Sequence, residues 1–157
     1  MGGFSFKSSG KTDERRLVEA LEISKTPIGI KTPLQINQGE GSEILITYDN
    51  LADTTHDNLR NLLLTNWGER LGLYEFGANL RPLMADLVSD DDFDGQAIER
   101  ISGAVGKWMS YISLENYVSN IDRTDNKNVA HINIVITYSI PALGVKGRTL
   151  EINLYAM

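Results

Sequence analysis

The side chains in this sequence that could do chemistry are carboxylates. Of 157 residues, 21 are Asp or Glu, 15 are Lys or Arg, two are His and none is Cys. Without cysteine there is no disulfide framework, thiolate zinc site or cysteine nucleophile. Two histidines cannot build a multi-His metal site, so neither a metal nor a cofactor is expected. Asp90-Asp91-Asp92-Phe93-Asp94-Gly95 opens like a D-x-D-x-D-G calcium loop, but Ile101 stands where the bidentate Glu belongs. The alternative is an acidic loop capping the next helix, with Asp92 or Asp94 as N-cap and the carboxylates near the positive end of the dipole. Glu69 and Glu75 flank a compact loop and form a candidate acid/base pair. Glycoside hydrolysis needs two carboxyls about 5–9.5 Å apart across a cleft, and sequence spacing does not establish that. Glu69 adjoins Arg70 in a segment dense in Gly and apolar residues, which favours a structural role. His56 lies near a helix start and His131 on the polar face of a strand. Neither has a Ser/Asp or ligand constellation nearby, so both read as surface or hydrogen-bonding residues. Trp67 and Trp108 read as packing anchors rather than stacking platforms for bases.

The composition excludes further classes. Hydrophobic residues make up 41% and charged residues 23%, an ordinary globular balance. No apolar run approaches the ~18 residues of a membrane span, and the opening Met-Gly-Gly-Phe-Ser-Phe-Lys lacks the apolar core of a signal peptide. The net charge of −6 argues against general nucleic-acid binding. The charge is also uneven: net +2 over residues 1–35, −9 over 36–128 and +1 over 129–157. An acidic centre between weakly basic ends suits docking between neighbouring copies, or is simply a solvated surface.

These residues must be positioned by elements that the pattern outlines. Residues 1–12 read as a mobile arm and Asp13–Ile23 as a short helix. The Lys-Thr-Pro repeat at 25–27 and 31–33 makes residues 24–37 extended. Gln38–Ser42 reads as a turn and Glu43–Tyr48 as a strand. A helix capped by Asp53, Thr54 or Thr55 ends near Thr65, with Leu59, Leu62 and Leu63 as its stripe. A second helix starts near Asn79, with Pro82 in its first turn and Leu80, Leu83, Met84, Leu87 and Val88 on one face. After an acidic break at Asp90–Gly95, a third helix runs to Ser110, with Ile98, Ile101, Val105, Trp108 and Ile112 in line.

The period then changes from 3.6 to 2. Ser113–Ile121, Val129–Ile140 and Thr149–Tyr155 read as strands. Ile132, Ile134, Ile136, Tyr138 and Ile140 face one way, and Leu150, Ile152 and Leu154 point inward. Pro141-Ala142-Leu143-Gly144 is the turn between the last two. The expected class is α+β: a three-helix half packed on an antiparallel β-meander. Residues 1–42 form an extended N-terminal arm and residues 43–157 a single domain. The last strand, Leu150-Glu151-Ile152-Asn153-Leu154-Tyr155, either lies within its own sheet or offers a free edge for β-augmentation.

One stretch is more specific. Leu62-Leu63-Leu64-Thr65-Asn66-Trp67-Gly68-Glu69-Arg70, followed by Tyr74-Glu75-Phe76-Gly77-Ala78-Asn79-Leu80, resembles the signature of the small baseplate wedge family of contractile phage tails. Type VI secretion relatives look similar. The likeness spans residues 43–121. Physically, Gly68 permits a sharp exit from the helix, Arg70 forks onto carboxylates or carbonyls, Phe76 plugs the core and Gly77 makes room at the next helix start. The family's Glu-Pro-Arg is replaced by Trp108-Met109-Ser110-Tyr111-Ile112, so that contact is not carried over.

The resemblance implies a non-enzymatic subunit of the virion tail baseplate, assembled in the host cytoplasm in many symmetric copies. It implies a fold like the strand-exchanging domain of tail sheath proteins. Its implied partners are other wedge proteins and the tail sheath protein, with the tail tube as a further candidate, and neither nucleic acid nor membrane. It makes Gly68, Glu69, Arg70, Glu75, Phe76 and Gly77 a structural loop, and Leu150 to Tyr155 the strand-sharing segment that templates the first sheath ring. Some relatives carry a lysozyme-like label, so the alternative is a peptidoglycan-cleaving tail enzyme using Glu69 and Glu75.

Overall fold

The computed structural model describes residues 27–36, 44–85, 90–123 and 130–156. The expected arm at 1–12, the helix at Asp13–Ile23, the turn at Gln38–Ser42, and Leu87 and Val88 lie outside the described residues. The chain divides into two compact units, Met1–Leu51 and Ala52–Met157.

The first unit contains a small antiparallel pair, β1 (Gly29–Ile30) and β2 (Thr47–Tyr48). The strand expected over Glu43–Tyr48 is shorter: Leu45 makes an isolated bridge to Ile36, and continuous pairing begins at Thr47.

The second unit carries three helices and a three-stranded antiparallel sheet, an α+β arrangement. The helices are α1 (Leu51–Leu64), α2 (Arg81–Ala85) and α3 (Asp90–Trp108). The strands are β3 (Ser113–Arg123), β4 (Ala130–Ile140) and β5 (Val145–Ala156), in the order β3-β4-β5. α1 begins at Leu51, so Asp53, Thr54 and Thr55 fall inside its first turn rather than capping it. The Asp53 carboxylate is instead engaged by Arg148 of β5.

α2 starts at Arg81, just after Asn79, whose φ of 52° is a left-handed conformation that a helix cannot start through. Pro82 sits in its first turn, as expected. The acidic run expected as a break is the start of α3. Of the expected line, Ile101, Val105 and Ile112 are buried and Trp108 packs against the core, Phe93, Ala97 and Ala104 join them, and Ile98 is 44% exposed. A helical backbone through Asp90–Gly95 also removes the turn a calcium loop requires. Asp94 accepts hydrogen bonds from Ser119 at 2.6 Å and Tyr117 at 3.2 Å on β3.

The core lies between the helices and one sheet face. Ile132, Ile134, Ile136, Tyr138 and Ile140 of β4 are at most 1% exposed and meet Leu150 and Ile152 of β5 and Leu59, Leu62 and Leu63 of α1. Each such aliphatic side chain contributes about 1.5–3 kcal/mol by leaving water. β4 and β5 join through a 3-10 turn at Pro141–Leu143, closed by Gly144 in the left-handed region. No helix among the described residues is long and apolar enough to cross a membrane.

Candidate functional site

The signature loop begins where α1 stops. Thr65 turns its hydroxyl back onto the Asn61 carbonyl at 2.6 Å. Gly68 has φ of 85° and donates its N–H to the Tyr74 carbonyl at 2.8 Å, giving the sharp exit expected of it. The chain then returns along the helix end: Ala78 N–H reaches the Leu62 carbonyl and Asn79 N–H the Thr65 carbonyl, at 3.2 and 3.3 Å. Gly77 sits at this crossing with φ of 115°, and a β-carbon there would stand 2.1 Å from the Thr65 carbonyl oxygen. It thus makes room for the end of α1, not for the next helix start.

Asn66 organises the rest. Its backbone and side-chain amides donate to the two Glu69 oxygens at 2.8 and 2.9 Å, and its side-chain Oδ1 accepts Arg81 N–H at 3.1 Å. These bonds, the backbone one foremost, hold the Glu69 carboxyl below the usual carboxylate range. Glu75 forms an ion pair with Lys107 of α3, which lowers its pKa as well. Both groups are exposed and ionised at neutral pH. A glycosidase acid needs the opposite shift. The Arg70 guanidinium, expected to fork onto oxygens, lies 4.3 Å over the Phe76 ring. Phe76 packs against the core and meets Trp108 edge-on, with centroids 5.2 Å apart. Trp67 is half exposed, with its indole N–H on the Gly77 carbonyl at 3.2 Å. Beside it, a shallow cleft of about 630 Å³ runs between the loop and α3.

The second candidate region is β5. Its pairing with β4 runs without a break from Tyr138↔Arg148 to Ala130↔Ala156. Among the described residues no strand pairs with its other edge. The far edge of the sheet, β3, carries a bulge between Leu114 and Asn116, a device that interrupts edge pairing. Of the sharing segment, Leu150, Ile152 and Leu154 are buried, while Glu151, Asn153 and Tyr155 are exposed. Tyr155 stacks on His131 of β4 with centroids 4.8 Å apart. The structure therefore keeps the two sequence-derived groups as separate places.

Two partners were not legible in the sequence. Arg148 bonds Asp53 at 2.6 Å, and Tyr138 shares a 2.8 Å hydrogen bond with Nδ1 of His56. Only the fold brings these positions together. Among the described residues no group of three or more His, Asp or Glu gathers to hold a metal.

No family model and no curated protein matches the sequence. Solved structures do share the fold. A chain of the 6-fold symmetrised anti-feeding prophage baseplate aligns with a TM-score of 0.57 at 14% identity, covering 77% of this chain and 90% of that one. A chain described as a candidate tail lysozyme from Geobacter sulfurreducens aligns with a TM-score of 0.50 at 17% identity, covering 71% and 94%.

Proposed function

We propose that this chain is a structural baseplate wedge subunit of a contractile phage tail. It joins other wedge proteins around the tube and templates the first sheath ring by strand sharing. The observation that carries the reading is the edge of β5 from Arg148 to Ala156, which runs in regular register beyond the shift near Gly147, in a fold shared with a chain of the anti-feeding prophage baseplate. An added strand would find a row of backbone donors and acceptors already fixed by the β4 pairing. The likeness to the sheath's strand-exchanging domain belongs to this proposal, as do the virion tail baseplate as location, the host cytoplasm as place of assembly, and the multi-copy symmetric arrangement.

Deleting residues 148–157 does not test the idea cleanly, because Leu150 and Ile152 belong to the core. The absence of cysteine offers a better route. Asn153→Cys, labelled with a photo-crosslinker in assembled particles, is expected to yield an adduct with the sheath protein. Adducts with the tube alone, or none, would refute strand sharing at this edge.

The second reading, a peptidoglycan-cleaving enzyme using Glu69 and Glu75, draws on the description of the Geobacter chain. The depressed pKa of both carboxyls opposes it. Wild-type cell-wall cleavage that vanished in both Glu69→Gln and Glu75→Gln would establish it instead.

A further inference from the structure

β5 presents two rows of side chains. Leu150, Ile152 and Leu154 face the core, and Thr149, Glu151, Asn153 and Tyr155 alternate with them on the exposed face. A strand added to the free edge sets its own outer side chains beside that second row, at the cross-strand spacing of about 4.5–5.5 Å. Glu151 is the only formal charge in the row. One of its oxygens accepts a hydrogen bond from the side-chain amide of Asn133 on β4, and the same amide donates to Asn153 at 2.8 Å. The carboxylate is therefore oriented by its own sheet. The nearest cation on its own strand is committed elsewhere, since Arg148 is engaged by Asp53. Lys146 lies beyond Gly147, which has φ of 62°, outside the regular stretch. Thr149 and Asn153 are neutral, and Tyr155 is stacked on His131.

We propose that the strand accepted by β5 is amphipathic and carries Lys or Arg on its outer face opposite Glu151, and that Glu151 disfavours strands with an acidic residue there. This rests on the reading of β5 as an accepting edge. Backbone pairing supplies affinity that any extended segment shares, so discrimination falls to the cross-strand side-chain pairs. An opposite charge beside Glu151 is favourable, while a like charge is unfavourable and weakens the wrong partner. The inner row adds a second condition, apolar residues alternating with the outer polar ones.

The test uses the full chain and two short synthetic peptides that alternate Thr and Val, with either Lys or Glu replacing the central Thr. Affinity is read by fluorescence anisotropy, and the site by hydrogen exchange of the β5 amides. Both peptides are expected to protect β5 amides, with the Lys peptide binding about fivefold more tightly. Glu151→Gln, which retains an acceptor for Asn133, should level the two affinities, and Glu151→Lys should reverse them. Equal affinities in the native chain, or an unchanged preference in Glu151→Lys, overturn the charge selection while protection of β5 leaves the accepting edge standing. Protection by neither peptide overturns the accepting edge and the selection together. Circular dichroism of both variants confirms that exposed position 151 leaves the fold intact.

Discussion

Arg148 of β5 donates a hydrogen bond to the carboxylate of Asp53 in the first turn of α1, 2.6 Å away and 95 residues distant in sequence. The two side chains are 30% and 39% exposed, so solvent and salt screen the pair only in part. Asp53→Asn and Arg148→Gln should each cost about 1 kcal/mol, and a double-mutant cycle should give a coupling of about 0.5–1 kcal/mol. Urea denaturation at low and high salt checks this, with the coupling shrinking as salt rises.

Close to that pair, His56 shares its hydrogen bond with Tyr138. Burial, then the Arg148 charge, holds its pKa below the ordinary 6.5. The unfolded chain therefore binds a proton that the folded chain resists. Its stabilising contribution is complete above about pH 6.5 and declines as pH falls through the folded value. Denaturation curves from neutral to mildly acidic pH should show the native chain losing stability relative to its own His56→Gln variant.

Gly77 and Gly72 separate two costs of a β-carbon. Both have positive φ, but Gly72 faces open space while Gly77 meets the Thr65 carbonyl oxygen. Gly72→Ala should cost about 1–2 kcal/mol, from the backbone alone. Gly77→Ala should cost about 3 kcal/mol or more, because the loop must also move off α1. Thermal melts of the two variants side by side decide it.

Two apolar residues of α3 make a similar contrast. Phe93 is 3% exposed and Ile98 is 44% exposed. Phe93→Ala should cost about 3–5 kcal/mol, and Ile98→Ala should stay within about 0.5 kcal/mol of the native chain. An equal effect at both positions would return Ile98 to the buried stripe.

Much of the sheet was legible because period-2 alternation admits one reading: the inward sets of β4 and β5 fall where the sequence places them. The leucines of α1 were legible for the corresponding reason. From α3 onward the line through Ile101, Val105 and Ile112 was legible; the exposure of Ile98 was not, because Ala97 and Ala104, which carry little hydrophobic signal, fill the stripe, and the start was missed because the aspartates before Gly95 look like a loop although acidic residues suit a helix start. In the signature loop, the need for glycine at 68 and 77 could be read, but the object each avoids could not. Gly77 answers to a carbonyl twelve residues earlier, and Arg70 to the ring of Phe76. The partners of Asp53 and His56 depend on pairings across 95 and 82 residues, beyond any local pattern.

The tight turn between β4 and β5 bears on how the chain acquires its shape during synthesis. That hairpin is local in sequence and closes a short loop, so it can form as soon as both strands exist. α1 depends on more distant partners as well: His56 and Asp53 reach Tyr138 and Arg148, and its leucines share the core cluster with the inner faces of those strands. Until β4 and β5 are made, Leu59, Leu62 and Leu63 lack the sheet side of their cluster. The helical half is made first, and its apolar stripe is completed only when the last strand arrives.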